Sequence, residues 1–136
     1  MARGNVFGYE TYMICEEGFS NIERHCRVVG FNVNLRIANY RGYVLSQIED
    51  IKVSIDGEPV ARSAMRVKFG NKEYTLDQME TVTDDRWELK QVASVTCLRK
   101  GGLAPGKHLV SVEEHIRASY LPFVAVAHAT KTLTLA

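Results

Sequence analysis

Four residues in the stretch VEEHIRASY, Glu113, Glu114, His115 and Arg117, form the densest group of side chains able to move protons or hold an anion. Under the two-residue repeat of a strand, Glu113, His115 and Arg117 share one face, where a carboxylate, an imidazole and a guanidinium amount to an acid/base pair with an anion or hydroxyl binder. Charged residues are also what the outer face of a half-buried strand carries, so the favoured reading is a solvated or interface-facing polar surface. Glu114 is the odd residue, because the same repeat turns it toward the apolar side.

A second candidate is RKGGLAPGKHLV, where Gly101, four residues, Gly106 and Lys107 satisfy the front half of a phosphate-binding GxxxxGK loop. That chemistry requires Ser or Thr after the lysine for magnesium, and a helix whose N-terminus faces the phosphates. His108 stands there instead, and the residues beyond it alternate as a strand. Gly101-Gly102 ends one strand, Pro105-Gly106 supplies a tight turn, and KHLVSV opens the next strand. Nucleotide binding is excluded on both counts. Cys15, His25 and Cys26 are soft-metal ligand types lying close in sequence, but they lack the tight local pairs and the fourth ligand of a structural zinc site. His108 and His128 have no partner visible in sequence, and no GxSxG, HExxH or CxxC occurs.

The elements that must position these residues are strands. In VVGFNVNLRIAN, Val29, Phe31, Val33, Leu35 and Ile37 fall on one face, with Asn32, Asn34 and Arg36 on the other. DIKVSIDGEPV sets Ile51, Val53 and Ile55 on one side and reaches Asp56-Gly57, a dipeptide suited to the positive φ of a tight hairpin. MRVKFGNKEYTL repeats the device: Met65, Val67 and Phe69 alternate up to Gly70-Asn71-Lys72, and Tyr74 and Leu76 alternate away. Thr75 and Gln78 have capping-box spacing and predict a single helical turn or short helix. ASVTCLRK is a further strand, with Trp87 anchoring the approach to it. In KHLVSVEEHIRASY, Val110, Val112, Ile116, Ala118 and Tyr120 share a face that Glu114 interrupts. KTLTLA, with Leu133 and Leu135, is an edge strand or an arm reaching a partner. The expected fold class is all-β, an antiparallel β-sandwich with at most one short helix.

The chain has 136 residues, 46% of them apolar and 24% charged, with three prolines, which fits one globular domain over residues 1–136. The net charge of +1 comes from basic residues scattered among acidic ones, without the concentrated basic stripe of a nucleic-acid reader. Three cysteines leave one over in any disulfide scheme, and reduced thiols in a cytosolic chain are the simplest reading. MARGNVFGYETYMIC contains no continuous apolar run of signal-peptide length, so no export is expected. YLPFVAVAHA is broken by Pro122 and His128 and is too short to span a bilayer, so no membrane partner is expected. Tyr40, Arg41, Tyr43, Tyr120 and Phe123 lie near predicted strand ends, where aromatics and arginine serve either the core or an interface.

Two stretches, VVGFNVNLRIANYRGYVLS and GGLAPGKHLVSVEEHIRASYLPF, with VSIDGEPV and Trp87 between them, resemble the small β subunit of bacterial C-glycoside deglycosidases. The resemblance covers roughly residues 28 to 123, and its order is more specific than any one piece. It implies a β-sandwich small subunit associated with a larger TIM-barrel α subunit in a higher-order αβ assembly. That α subunit carries a divalent metal, Mn or Mg, together with the catalytic residues, and this chain binds no cofactor itself. The complex implied cleaves the carbon–carbon bond between a 3-oxo-glucosyl group and an aromatic aglycone such as a flavonoid, by elimination after proton abstraction beside the ketone. The C-glycoside is then bound mainly by the partner. The positions carried over as interface residues are Tyr40, Arg41 and Gly42 from the first stretch, and Arg117, Ser119, Tyr120 and Pro122 from the second. Residues 1–25 and 124–136 lie outside the recognised pattern.

Two other readings compete. An independent carbohydrate- or ligand-binding β-sandwich would bind sugar without a partner. A stand-alone enzyme using Glu113 and His115 would turn over substrate by itself.

Overall fold

A computed structural model describes residues 13–37, 42–117 and 122–136. Eleven strands and one short helix are described: β1 (Ser20–Arg24), β2 (Arg27–Leu35), β3 (Tyr43–Val44), β4 (Ile48–Ile55), β5 (Glu58–Pro59), β6 (Met65–Phe69), β7 (Lys72–Tyr74), α1 (Leu76–Met79), β8 (Arg86–Trp87), β9 (Ala93–Leu98), β10 (Gly106–Ile116) and β11 (Ala125–Leu135). They form a five-stranded sheet in the order β1-β2-β9-β6-β7, a four-stranded sheet in the order β11-β10-β4-β5, and the small pair β3-β8. Every described pairing is antiparallel, giving the antiparallel β-sandwich that the two-residue repeat predicts.

Alternation decides which face is buried. Phe31, Val33 and Leu35 of β2, Ile51, Val53 and Ile55 of β4, Val67 of β6, Val95 of β9, and Val110 and Val112 of β10 all point into one core. Trp87 and Tyr43 sit opposite one another in the β3–β8 pair, both fully buried, and Trp87 meets the ring of Phe69 edge-on at 5.6 Å. The aromatic residues near strand ends therefore divide, with Tyr43 in the core and Phe123 53% exposed.

The turns follow the residues that permit them. Asp56 and Gly57 both take positive φ, 51° and 87°, the pair of values a two-residue hairpin requires. β7 begins at Lys72 and ends at Tyr74, so Leu76 opens α1 instead of continuing the strand as its spacing suggested. Thr75 explains the switch. Its hydroxyl accepts from Gln78 N at 3.1 Å and its own N–H donates to Gln78 Oε1 at 2.8 Å, closing a capping box. Gly101 and Gly102 also take positive φ, and β10 starts at Gly106, so a strand follows the glycine-rich loop.

Three features exceed what alternation shows. β1, absent from the sequence expectation, pairs along β2, and Met13, Ile14, Cys15 and Phe19 before it are buried, with Ile14 bridging Leu35. β11 runs unbroken from Ala125, pairs with the whole of β10, and stands at the edge of its sheet, longer than KTLTLA alone. His25 and Cys26, read as possible metal ligands, are the positive-φ residues that turn β1 into β2 and are exposed, whereas Cys15 is buried.

The Asp56 turn is pinned to β10. His108 Nδ1 lies 2.7 Å from Asp56 Oδ2, His108 Nε2 lies 2.7 Å from the Ala104 carbonyl, and Leu109 N donates to Asp56 Oδ1. The Ala104 carbonyl and then Asp56 raise the His108 pKa above its usual 6.5, and His108 together with the Leu109 amide lowers that of Asp56 below 3.8. A raised folded-state pKa gives stability that is complete below pH 6.5 and is lost as pH climbs through the folded value; the lowered Asp56 value gives stability present above pH 3.8 and lost on acidification. The Tm of the parent is expected to decline as pH rises above 6.5, and His108→Gln should lose that decline. Parallel profiles for parent and variant across that range would reject the pin.

Candidate functional site

β10 gathers the first group of candidates. Glu113 and His115 project from its outer face, with His115 Nε2 3.0 Å from Glu113 Oε1, both about four-fifths shielded. Glu114 points the other way and is fully buried beside Val112 and Ile116, as alternation predicts. Arg117 does not join Glu113 and His115. Its guanidinium pairs with Glu49 of β4, and its backbone N–H donates to the Gln47 carbonyl at 2.8 Å. An acid/base pair with an attached anion binder is therefore not assembled on this face.

Gln47 is the hinge of the arrangement and has no signal in the sequence. It ends the 3₁₀ turn Leu45–Gln47; its Oε1 accepts from Val44 N at 3.2 Å, and its Nε2 donates to the Arg117 carbonyl at 3.2 Å. One amide side chain thus ties the chain just after Gly42 to the exit of β10. Val44 and Arg117, far apart in sequence, are joined through that one side chain.

The seven candidate interface residues fall into three groups. Tyr40, Arg41, Ser119 and Tyr120 lie outside the described residues. Arg117 and Pro122 are exposed, as is Phe123 next to Pro122, with the exit of β10 paired to the entry of β11 through Ile116 and Ala125. Gly42 is buried; a Cβ there would stand 2.6 Å from the Trp87 carbonyl, and Arg86 Nη2 donates to the Gly42 carbonyl at 3.1 Å. Its structural duty is close approach of backbone to backbone at β8.

Other chemistry is poorly provided for. Burial pushes the Cys97 thiol up to about 12 and also raises Cys15, so both stay protonated at neutral pH. Among the described residues, no three His, Cys, Asp or Glu side chains converge as metal ligands.

Comparison with known proteins places the chain in a family. The family model described as C-glycoside deglycosidase beta subunit matches residues 9–120. The match begins well before residue 28, so the N-terminal segment with the buried Met13, Ile14 and Phe19 belongs to the family pattern, while β11 lies beyond it. The chain is 28% identical over 114 residues to the C-glycoside deglycosidase beta subunit of Eubacterium cellulosolvens, covering 83% of this chain and 78% of that protein. It is 32% identical over 95 residues to the 3'-dehydrocarminate deglycosidase beta subunit of a Microbacterium species, covering 68% of this chain and 70% of that one. With most of its length matched, the chain belongs to the C-glycoside deglycosidase β-subunit family.

Proposed function

We propose that this chain is the non-catalytic β subunit of a heteromeric carbon–carbon lyase. The complex cleaves the bond between a 3-oxo-glucosyl group and an aromatic, flavonoid-like aglycone, and this subunit supports the assembly of a larger TIM-barrel α subunit. The α subunit binds the C-glycoside and holds a divalent metal, Mn or Mg. The family match supports the subunit reading, and three free thiols fit a reducing cytosol.

The observation that carries the docking site is the Gln47 corner, where Arg117, Pro122 and Phe123 stand exposed together at the exit of β10 and the entry to β11. Exposed arginine and aromatic residues are the types that interfaces favour at their centres. Arg117 is held in place through its backbone by Gln47 and through its side chain by Glu49, so little ordering is lost when a partner takes it up.

A tagged copy of the chain, recovered from its native cells, should bring down one larger protein in stoichiometric amount together with Mn or Mg. Arg117→Ala and Phe123→Ala, both at exposed positions, should each weaken that capture about tenfold or more while leaving thermal unfolding unchanged, the size expected of an anchor at an interface centre. A chain recovered alone and metal-free rejects the subunit role. Capture unchanged in both variants rejects this corner as the docking site.

A further inference from the structure

The outer face of the four-stranded sheet carries a cleft whose lining includes neither Gln47 nor Arg117, Pro122 or Phe123. Register sets polar side chains in rows across β4, β10 and β11: Lys52, Glu113 and His128 form one row, and Ser54, Ser111 and Thr130 the next. These residues face outward because Val53 and Val112, their neighbours in sequence, face the core. Beyond β4, the chain rises through Pro59 and Val60 and walls one side. The cleft so enclosed has a volume of about 290 Å³.

Its rim is fixed. Arg62 Nη1 lies 2.6 Å from Asp50 Oδ1, and the remaining guanidinium nitrogens reach Asp77 and Glu80, each at 3.0 Å. One guanidinium therefore holds β4, the 3₁₀ turn Arg62–Ala64 and α1 in a single arrangement around the opening. A rim built this way is preformed, so ordering it costs a ligand little.

The charges of the lining residues cancel, Arg62 facing Asp50 and Glu113 lying across the β4–β10 ladder from Lys52, while Asp77 and Glu80 on the rim are both turned to Arg62. A ligand with a net charge would bring one more charge into a site that already balances its own. A neutral polyhydroxylated ligand suits it better. Its hydroxyls both donate and accept, and here they meet an ammonium donor, a carboxylate acceptor, an imidazole and two serine hydroxyls. Val60 and Pro59 offer an apolar wall for the C–H face of a ring. The volume stands at the small end of ligand cavities, roughly 300–1,000 Å³, which is the scale of one sugar ring and not of a ring joined to an aromatic aglycone.

We propose that the cleft between the outer face of β4–β10–β11 and the Pro59–Arg62 connection binds a single neutral pyranose. The site belongs to this chain's own residues and is independent of whether the corner at Gln47 docks an α subunit.

Two-dimensional amide NMR spectra of the full chain, titrated with methyl β-D-glucopyranoside and separately with glucuronate, test it. The neutral glycoside should shift amides of β4, β10 and β11 progressively, with an affinity in the millimolar range typical of one small ligand, and glucuronate should bind more weakly. Lys52→Met and Glu113→Gln should each weaken the neutral sugar about tenfold while thermal unfolding stays unchanged, as the loss of a hydrogen bond to a charged group predicts. No localised shifts with the glycoside, equal or tighter binding of glucuronate, or full binding by both variants would each overturn the proposal. None of these results alters the outcome of α-subunit capture, so the two ideas fail separately.

Discussion

Replacing Trp87 with alanine is expected to lower the unfolding free energy by about 3–5 kcal/mol, the range for a fully buried aromatic removed from a core. Three effects combine at this position. The indole is completely shielded from solvent and closes the core between the β3–β8 pair and the five-stranded sheet, so its removal leaves a cavity. It packs edge-on against Phe69, with ring centroids 5.6 Å apart. Its Nε1–H donates to the Gln91 carbonyl at 2.9 Å, fixing the loop that leads into β9. Trp87→Phe separates these effects: it keeps most of the volume and loses the hydrogen bond, and should cost about 1–2 kcal/mol. Urea unfolding followed by circular dichroism is the measurement, because the variant removes the chain's single tryptophan and its fluorescence. A loss below about 1 kcal/mol for Trp87→Ala would mean the site collapses around the gap and that the β3–β8 pair does not close the core.

Gly30→Ala should cost about 3 kcal/mol, at the upper end of what overpacking a tight site exacts. Gly30 lies within β2, and a Cβ there would sit 2.2 Å from the Cys97 carbonyl oxygen and 3.0 Å from Leu98 Cα. Those atoms are backbone of the neighbouring strand β9, so relief requires the β2–β9 ladder itself to shift. Gly57→Ala provides the contrast. At Gly57 nothing lies within 4 Å of the added carbon, and only the positive φ of 87° is disfavoured, a cost of about 1 kcal/mol. Denaturant midpoints of the two variants measured side by side decide the matter. Equal losses would show that backbone conformation, and not the approach of β9, governs Gly30.

The contrast between these two glycines marks what local sequence can express. Asp56-Gly57 is legible because both demands of a tight hairpin, two positive φ values and a polar first residue, are met by adjacent residues. Gly30 sits in an alternating run where nothing nearby distinguishes it, and its reason lies on a strand more than sixty residues away. The capping box at Thr75 and Gln78 was legible for the same cause as the hairpin, since its two hydrogen bonds span three residues.

The candidate site divides along the same line. Alternation along β10 was enough to place Glu113 and His115 together outside and Glu114 inside, because neighbours on one strand obey one repeat. It could not show that Arg117 turns to Glu49, or that Gln47 joins Val44 to Arg117, because those partners come from the register of β10 against β4. Nor could it show the cleft over Lys52, Glu113 and His128, which exists only once three strands stand side by side. By itself the sequence determined β2, β4, β6, β9 and β10 with their buried faces, the capping box that opens α1 and the Asp56-Gly57 turn, all set by backbone preferences and periodicity within a few residues, whereas β1, its turn at His25-Cys26 and the full length of β11 did not show in it. Tertiary structure alone decided which strands became neighbours, and therefore which side chains could form a site, because pairing between distant strands depends on burying the whole core at once.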